Sequence, residues 1–152
     1  MITADILFSF LKKRKINFFT GVPDSVLKDT NKILKNYNND KHVITHNEGG
    51  SIALGAGYFL KTKKIACVYF QNSGLGNAIN PLISMAHKNI YSIPMLLLIG
   101  WRGAPKEKKD EPQHIHQGKI TEKMLKLLEI DYCILENKKD LKKLEKIIII
   151  SK

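Results

Sequence analysis

Four short stretches of this sequence hold side chains able to do chemistry. In His46-Asn47-Glu48-Gly49-Gly50 a lone carboxylate heads a run of small residues, Gly49, Gly50, Ala53, Gly55, Ala56 and Gly57. Asn47 suits a helix N-cap, and Glu48 in the first turn would complement the helix dipole. Glycine nevertheless costs a helix up to about 1 kcal/mol relative to alanine. So many of them imply that a flat ligand or another subunit's backbone approaches closely. A carboxylate beside such a surface could protonate or polarise a ring nitrogen. The stretch Asn72-Ser73-Gly74-Leu75-Gly76-Asn77 is a Gly-rich strand-to-helix turn, able to offer backbone N–H groups to a phosphate or a planar ring, or to serve as a plain tight turn. It lacks the Gly-Lys-Ser/Thr of a nucleotide-binding loop and the full dinucleotide spacing.

Asp110-Glu111-Pro112-Gln113-His114-Ile115-His116-Gln117-Gly118 gathers acids, amides and two imidazoles in what reads as a long loop, Gly100–Gly118. Histidine there could pass protons near neutral pH, and loops of this length are often functional. Metal ligation by His114 and His116 would need further ligands that the sequence does not cluster with them. Gly21-Val22-Pro23 makes a sharp exit from an apolar run, after which Asp24 or Ser25 suits a helix N-cap.

The elements that must position these stretches alternate in period. Helical spacing is expected over Ala4–Lys13, Val26–Tyr37, Ser51–Leu60, Asn77–His87, Thr121–Leu128 and Asp140–Ile148. Strands are expected over Ile16–Thr20, His42–Thr45, Ile65–Phe70, Ile93–Ile99 and Tyr132–Leu135. Ile65–Phe70 is apolar throughout, as a strand buried on both faces requires. Such alternation predicts an α/β fold, doubly wound, with a mainly parallel sheet and helices on both faces. All four chemical stretches then follow strands and open on one edge of the sheet, where such folds bind ligands.

Composition narrows the function classes. The 152 residues suit one domain, 1–152, with 43% apolar and 26% charged residues. No apolar run approaches the ~20 residues of a membrane span, and the N-terminus lacks the layout of a signal peptide, so a cytoplasmic protein is expected. Cys67 and Cys133 sit in apolar runs and read as small core residues. With 25 Lys+Arg against 14 Asp+Glu the net charge is +11, which admits a non-catalytic basic module that binds nucleic acid. The lysines are dispersed and carry few aromatic residues among them for base stacking, so a solvated surface is the expected reading, with neither nucleic acid nor membrane as partner.

In chain order, GVPDS, HNEGG, QNSGLGN, IGWRG and DEPQHxHxG resemble the pyrimidine-binding domain of thiamine-diphosphate-dependent decarboxylases, most closely the phosphonopyruvate and sulfopyruvate decarboxylating branch, over about Thr20 to Thr121. The resemblance implies a carbon–carbon lyase acting on an anionic 2-oxo acid. It implies that Glu48 hydrogen-bonds the cofactor's aminopyrimidine, and that Ser73, Gly74, Gly76 and Asn77 lie along that ring. It places Asp24, Ser25 and Gln113 at the substrate, with one imidazole of His114 and His116 handling a proton or the substrate's acidic group. Arg102 or the Lys106–Lys109 run would suit a substrate with an extra anionic group.

The family holds Mg²⁺ and the diphosphate on a second domain bearing Gly-Asp-Gly, a tripeptide absent from this sequence. No metal ligand is therefore expected in this chain. The expected partner is a diphosphate-binding domain or beta subunit, in a homo- or hetero-oligomer. The sequence closes on Ile147-Ile148-Ile149-Ile150-Ser151-Lys152, where the family adds another strand, so a piece of a longer enzyme is expected somewhat over a natural alpha subunit.

Overall fold

A computed structural model describes residues 2–105 and 110–150. The four strands are β1 (Phe19–Gly21), β2 (His42–Ile44), β3 (Ala66–Gln71) and β4 (Met95–Gly100), and all three pairings are parallel, in the order β2-β1-β3-β4. The helices are α1 (Ala4–Lys13), α2 (Lys28–Leu34), α3 (Glu48–Thr62), α4 (Leu75–Pro81), α5 (Pro112–Leu127) and α6 (Leu141–Ile150).

β3 is buried along its length, and its alternation divides the interior into two cores. Cys67 and Tyr69 face one side, with Leu7, Phe8 and Leu11 of α1, Leu34 of α2, and Leu144 and Ile148 of α6. Val68 and Phe70 face the other, with Ile52 of α3, Leu75 and Ala78 of α4, and Leu125 of α5. Strands alternate faces and helices bury one stripe, so two helical layers are needed to cover one such sheet. The doubly wound α/β fold read from the sequence is therefore the fold observed. β1 leads outward to β2 and β3 leads the other way to β4. Their C-terminal ends flank the point where the winding reverses, the crevice in which such sheets bind ligands.

Three local expectations are corrected. The segment taken as a loop to Gly118 is helical from Pro112, so Gln113, His114 and His116 stand on α5. Proline at the first helical position is pre-set for that start. Residues 132–135 do alternate between the two cores, with Tyr132 in one and Cys133 and Leu135 in the other, but among the described residues they form no strand. Alternation specifies which way side chains face, not that the backbone aligns with a neighbour. Finally, α2 starts at Lys28 and has no side-chain cap. Asp24 instead closes the turn before it, accepting from Val26 N–H at 3.1 Å. No helix among the described residues is long and apolar enough to cross a membrane.

Candidate functional site

Glu48 opens α3, and the Asn47 side chain caps that helix by accepting from Gly50 N–H at 2.8 Å. Capping fixes the backbone of Glu48, and two neighbours from the β3–α4 turn fix its carboxylate. Asn77 Nδ2 donates to Oε2 at 2.9 Å. Gly74 leaves the space the carboxyl group fills, since a Cβ there would run into Cγ, Cδ and Oε1 of Glu48. The HNEGG and QNSGLGN stretches thus interlock, and the glycine of one is the slot for the acid of the other. Ser73 accepts a hydrogen bond from Gln71 Nε2 at 2.8 Å. Gly76 is exposed, and a Cβ there would meet nothing within 4 Å.

The Gly/Ala composition of α3 has two sources. Gly55 is close-packed on β3, where a Cβ would lie 2.9 Å from Val68 Cγ2, and Gly49 lies against Asn77 and Pro81 of α4. Gly57 faces nothing within 4 Å and shares an exposed surface with Ala53 and Leu60. Part of the expected close approach is therefore made inside the chain.

A second group forms where β1 and β4 end. Asp24 is buried at 8% exposure against Gly100, which has no room for a side chain. Burial raises the Asp24 pKa, opposed by backbone N–H groups of Val26, Ser25 and Leu27 and by Arg102. The Arg102 guanidinium holds Asp110 through Nε at 3.0 Å and Nη2 at 3.3 Å, and its Nη1 donates to Ser25 Oγ at 3.3 Å. Asp110 also meets His114 Nδ1 at 2.9 Å and accepts from Glu111 N–H at 2.8 Å. Arg102, then His114 and Glu111 N–H, hold the Asp110 carboxyl well below the usual carboxylate range.

Buried Asn72 ties these parts together. Its Oδ1 accepts from Arg102 N–H at 3.1 Å, and its Nδ2 donates to Arg102 C=O at 3.0 Å and to Thr121 Oγ1 of α5 at 2.9 Å. Gly103 and Gly118 then meet backbone to backbone, because a Cβ on Gly118 would run into the Gly103 carbonyl.

The structure thus brings Glu48 together with Gly74 and Asn77, and joins Ser25 to His114 through Arg102 and Asp110. It does not join Gln113 or His116 to either group: both are exposed on α5, with no hydrogen-bond partner among the described residues. Lys106–Lys109 lie outside the described residues. Among the described residues no three His, Cys, Asp or Glu side chains converge as a metal site. Sequence reasoning did not single out Asn72 or Asp110. Reading Pro112 as a helix start would have put Asp110 and His114 one turn apart and exposed the pair.

A family profile described as thiamine pyrophosphate enzyme, N-terminal TPP binding domain, matches residues 1–123. A phosphonopyruvate decarboxylase of Streptomyces viridochromogenes is 36% identical over 141 residues, 92% of this chain and 34% of that protein. A sulfopyruvate decarboxylase subunit alpha of Methanococcus maripaludis is 33% identical over 132 residues, 87% of this chain and 76% of the subunit. The crystal structure of benzoylformate decarboxylase from Polynucleobacter necessarius superposes with a TM-score of 0.55 at 27% identity, over 67% of this chain and 19% of that one. The chain spans about a third of the length of the phosphonopyruvate decarboxylases it matches.

Proposed function

This chain belongs to the thiamine pyrophosphate enzyme family of N-terminal TPP binding domains, and from that membership we propose that it is the pyrimidine-binding half of a thiamine-diphosphate-dependent decarboxylase converting phosphonopyruvate to phosphonoacetaldehyde. The names of its relatives support the reaction class, and the Glu48–Gly74–Asn77 interlock is the observation that carries the assignment. The residues present fit the cofactor's ring end: a fixed, half-buried carboxylate stands on the ligand-binding edge, beside the open space over Gly76.

Thiamine diphosphate, when bound, supplies the carbon that adds to the 2-oxo acid and the electron sink for departure of carbon dioxide. The contribution of this chain is binding, orientation and proton handling. Asn77 occupies Oε2 of Glu48, which leaves Oε1 to share a proton with a ring nitrogen. Ser73 and Gly74 border the ring, while Asp24 and Ser25 stand at the substrate end. One of the imidazoles His114 and His116 handles a proton. The diphosphate and Mg²⁺ belong to a partner domain or subunit, so the working enzyme is an oligomer that shares its site between two kinds of domain.

Sulfopyruvate decarboxylation by an alpha subunit is the second reading, supported by 33% identity to such a subunit over 132 residues. Both are tested by assembling the chain with its diphosphate-binding half and following aldehyde formation from each acid. Glu48→Gln should abolish turnover and leave the circular dichroism and the melting temperature unchanged. Full activity in that variant would refute the assignment.

A further inference from the structure

His114 and His116 are two residues apart on α5, so they point in different directions. Only His114 is built into the structure. Its side chain is 16% exposed, and its Nδ1 lies 2.9 Å from Asp110 Oδ1. The aspartate is in turn held side-on by Arg102 Nε and Nη2. Arg102 has its own backbone gripped on both its N–H and its C=O by the side chain of Asn72, which is 3% exposed. A pair made for stability alone needs no buried amide fixing its backbone and no imidazole on the same oxygen.

We infer that Asn72, Arg102 and Asp110 are positioning residues that fix His114 with its proton on Nδ1, and that His114 rather than His116 delivers the proton the reaction consumes. Decarboxylation of a 2-oxo acid to an aldehyde balances as RCOCOO⁻ + H⁺ → RCHO + CO₂, the proton ending on the former carbonyl carbon. An ionised Asp110 can only accept, so Nδ1 is the donor in that bond and Nε2 is the bare nitrogen. No partner takes Nε2 among the described residues. Nε2 gains a proton from solvent while Nδ1 keeps its bond to Asp110, and Nε2 then gives that proton to the carbon that lost carbon dioxide. The ring returns to its starting tautomer. The same logic of an acid that orients an imidazole operates in hydrolytic triads.

The inference rests on the decarboxylase reading, and two measurements separate their failures. The first is ¹⁵N NMR of histidine-labelled chain above the histidine pKa. His114 should show a protonated Nδ1 and a bare Nε2, and Asp110→Asn should mix or reverse the tautomers with the melting temperature followed in parallel. A bare Nδ1 in the unmodified chain overturns the network whatever the reaction is. The second is turnover by the assembled enzyme. General acid–base groups contribute about 10²–10⁴-fold, so His114→Gln should lower kcat by about 100-fold or more with KM within about threefold. Asp110→Asn should lower kcat by about 10–100-fold, and His116→Gln should cost at least about tenfold less than His114→Gln. Loss confined to His116→Gln, or equal in both variants, overturns the choice of His114. If the unmodified assembly decarboxylates neither acid, the reaction reading and the proton-delivery role fall together, while the tautomer result still decides the network.

Discussion

The two ends of the ligand-binding edge are built differently. The Glu48 corner is assembled from the starts of α3 and α4, each directly after a strand or its turn, and among the described residues one side-chain hydrogen bond, from Asn77, holds the carboxylate itself. The Asn47 side-chain cap of α3 and the missing side chain at Gly74 do the rest. The His114 corner is assembled from a long connection and a helix, and it depends on a chain of side-chain bonds from Asn72 to Arg102 to Asp110 to His114. The first corner is made rigid by regular elements. The second is made rigid by a polar network, in which removal of one member leaves the others unsatisfied.

The sharpest way to break this contrast is at Gly74. A methyl group there competes with the Glu48 carboxyl for the same space, so Gly74→Ala should displace the acid and lower kcat of the assembled enzyme by about 100-fold or more, the scale of a lost acid–base group. Gly76→Ala adds the same methyl two residues on, where the chain itself offers no obstacle. Its melting temperature should be unchanged, and any fall in activity would report that a ligand uses that space. Equal, small effects of the two substitutions would show that Glu48 does not depend on the slot.

Next in size is the network corner. Asn72→Ala removes the amide donor to the Arg102 C=O and to Thr121 Oγ1 and one of the two acceptors of the Arg102 N–H, which keeps the Gly100 carbonyl at 3.2 Å, and it leaves a small void beneath them. A buried group left unpaired costs about 1–3 kcal/mol, and the Arg102 carbonyl is the group that loses its partner, so chemical denaturation should show a loss of about 1–3 kcal/mol. A loss under about 0.5 kcal/mol, the scale of ordinary surface changes, would mean that water replaces the amide and that the network is not rigid.

These two corners also differ in how far the sequence discloses them. The first is legible because a capped helix start and a Gly-rich turn are local signals, each complete within a few residues. The alternation of Cys67 and Tyr69 with Val68 and Phe70 likewise declares a strand between two layers. The start of α5 is harder to see. Its first turns carry two histidines and Gly118, and glycine within a helix costs about 1 kcal/mol. The structure offsets that cost by packing the Gly103 turn directly on the Gly118 backbone, an event of tertiary structure that no local spacing announces. Asn72 is hidden for a related reason. Its partners, Arg102 and Thr121, lie 30 and 49 residues away, so its type alone suggests only a turn.

Acid should weaken the second corner selectively. Arg102 and His114 depress the folded-state pKa of Asp110, so its contribution is complete above the ordinary aspartate value of about 3.9 and is lost as pH falls towards the lowered folded value. Arg102→Gln removes the leading cause of that depression. The gap in melting temperature between the unmodified chain and Arg102→Gln should therefore hold constant above about pH 5 and narrow below about pH 3.9. A gap that ignores pH would place the effect of Arg102 in packing rather than in its pairing with Asp110.

The smallest expected effect tests whether the first corner owes its order to the capped start of α3. Asn47→Ala removes the N-cap of α3 without touching Glu48, Gly74 or Asn77. Loss of such a cap costs about 1 kcal/mol, and urea denaturation should register about that much. Activity is the more informative reading. If capping alone sets the backbone of Glu48, the frayed first turn lets the carboxylate swing, and kcat falls together with stability. If Asn77 and the Gly74 slot hold the acid on their own, stability falls and kcat stays within about twofold. A combined Asn47→Ala, Asn77→Ala variant separates the two further: additive losses mean independent supports, whereas neighbours that share one task deviate from additivity by about 0.5–3 kcal/mol.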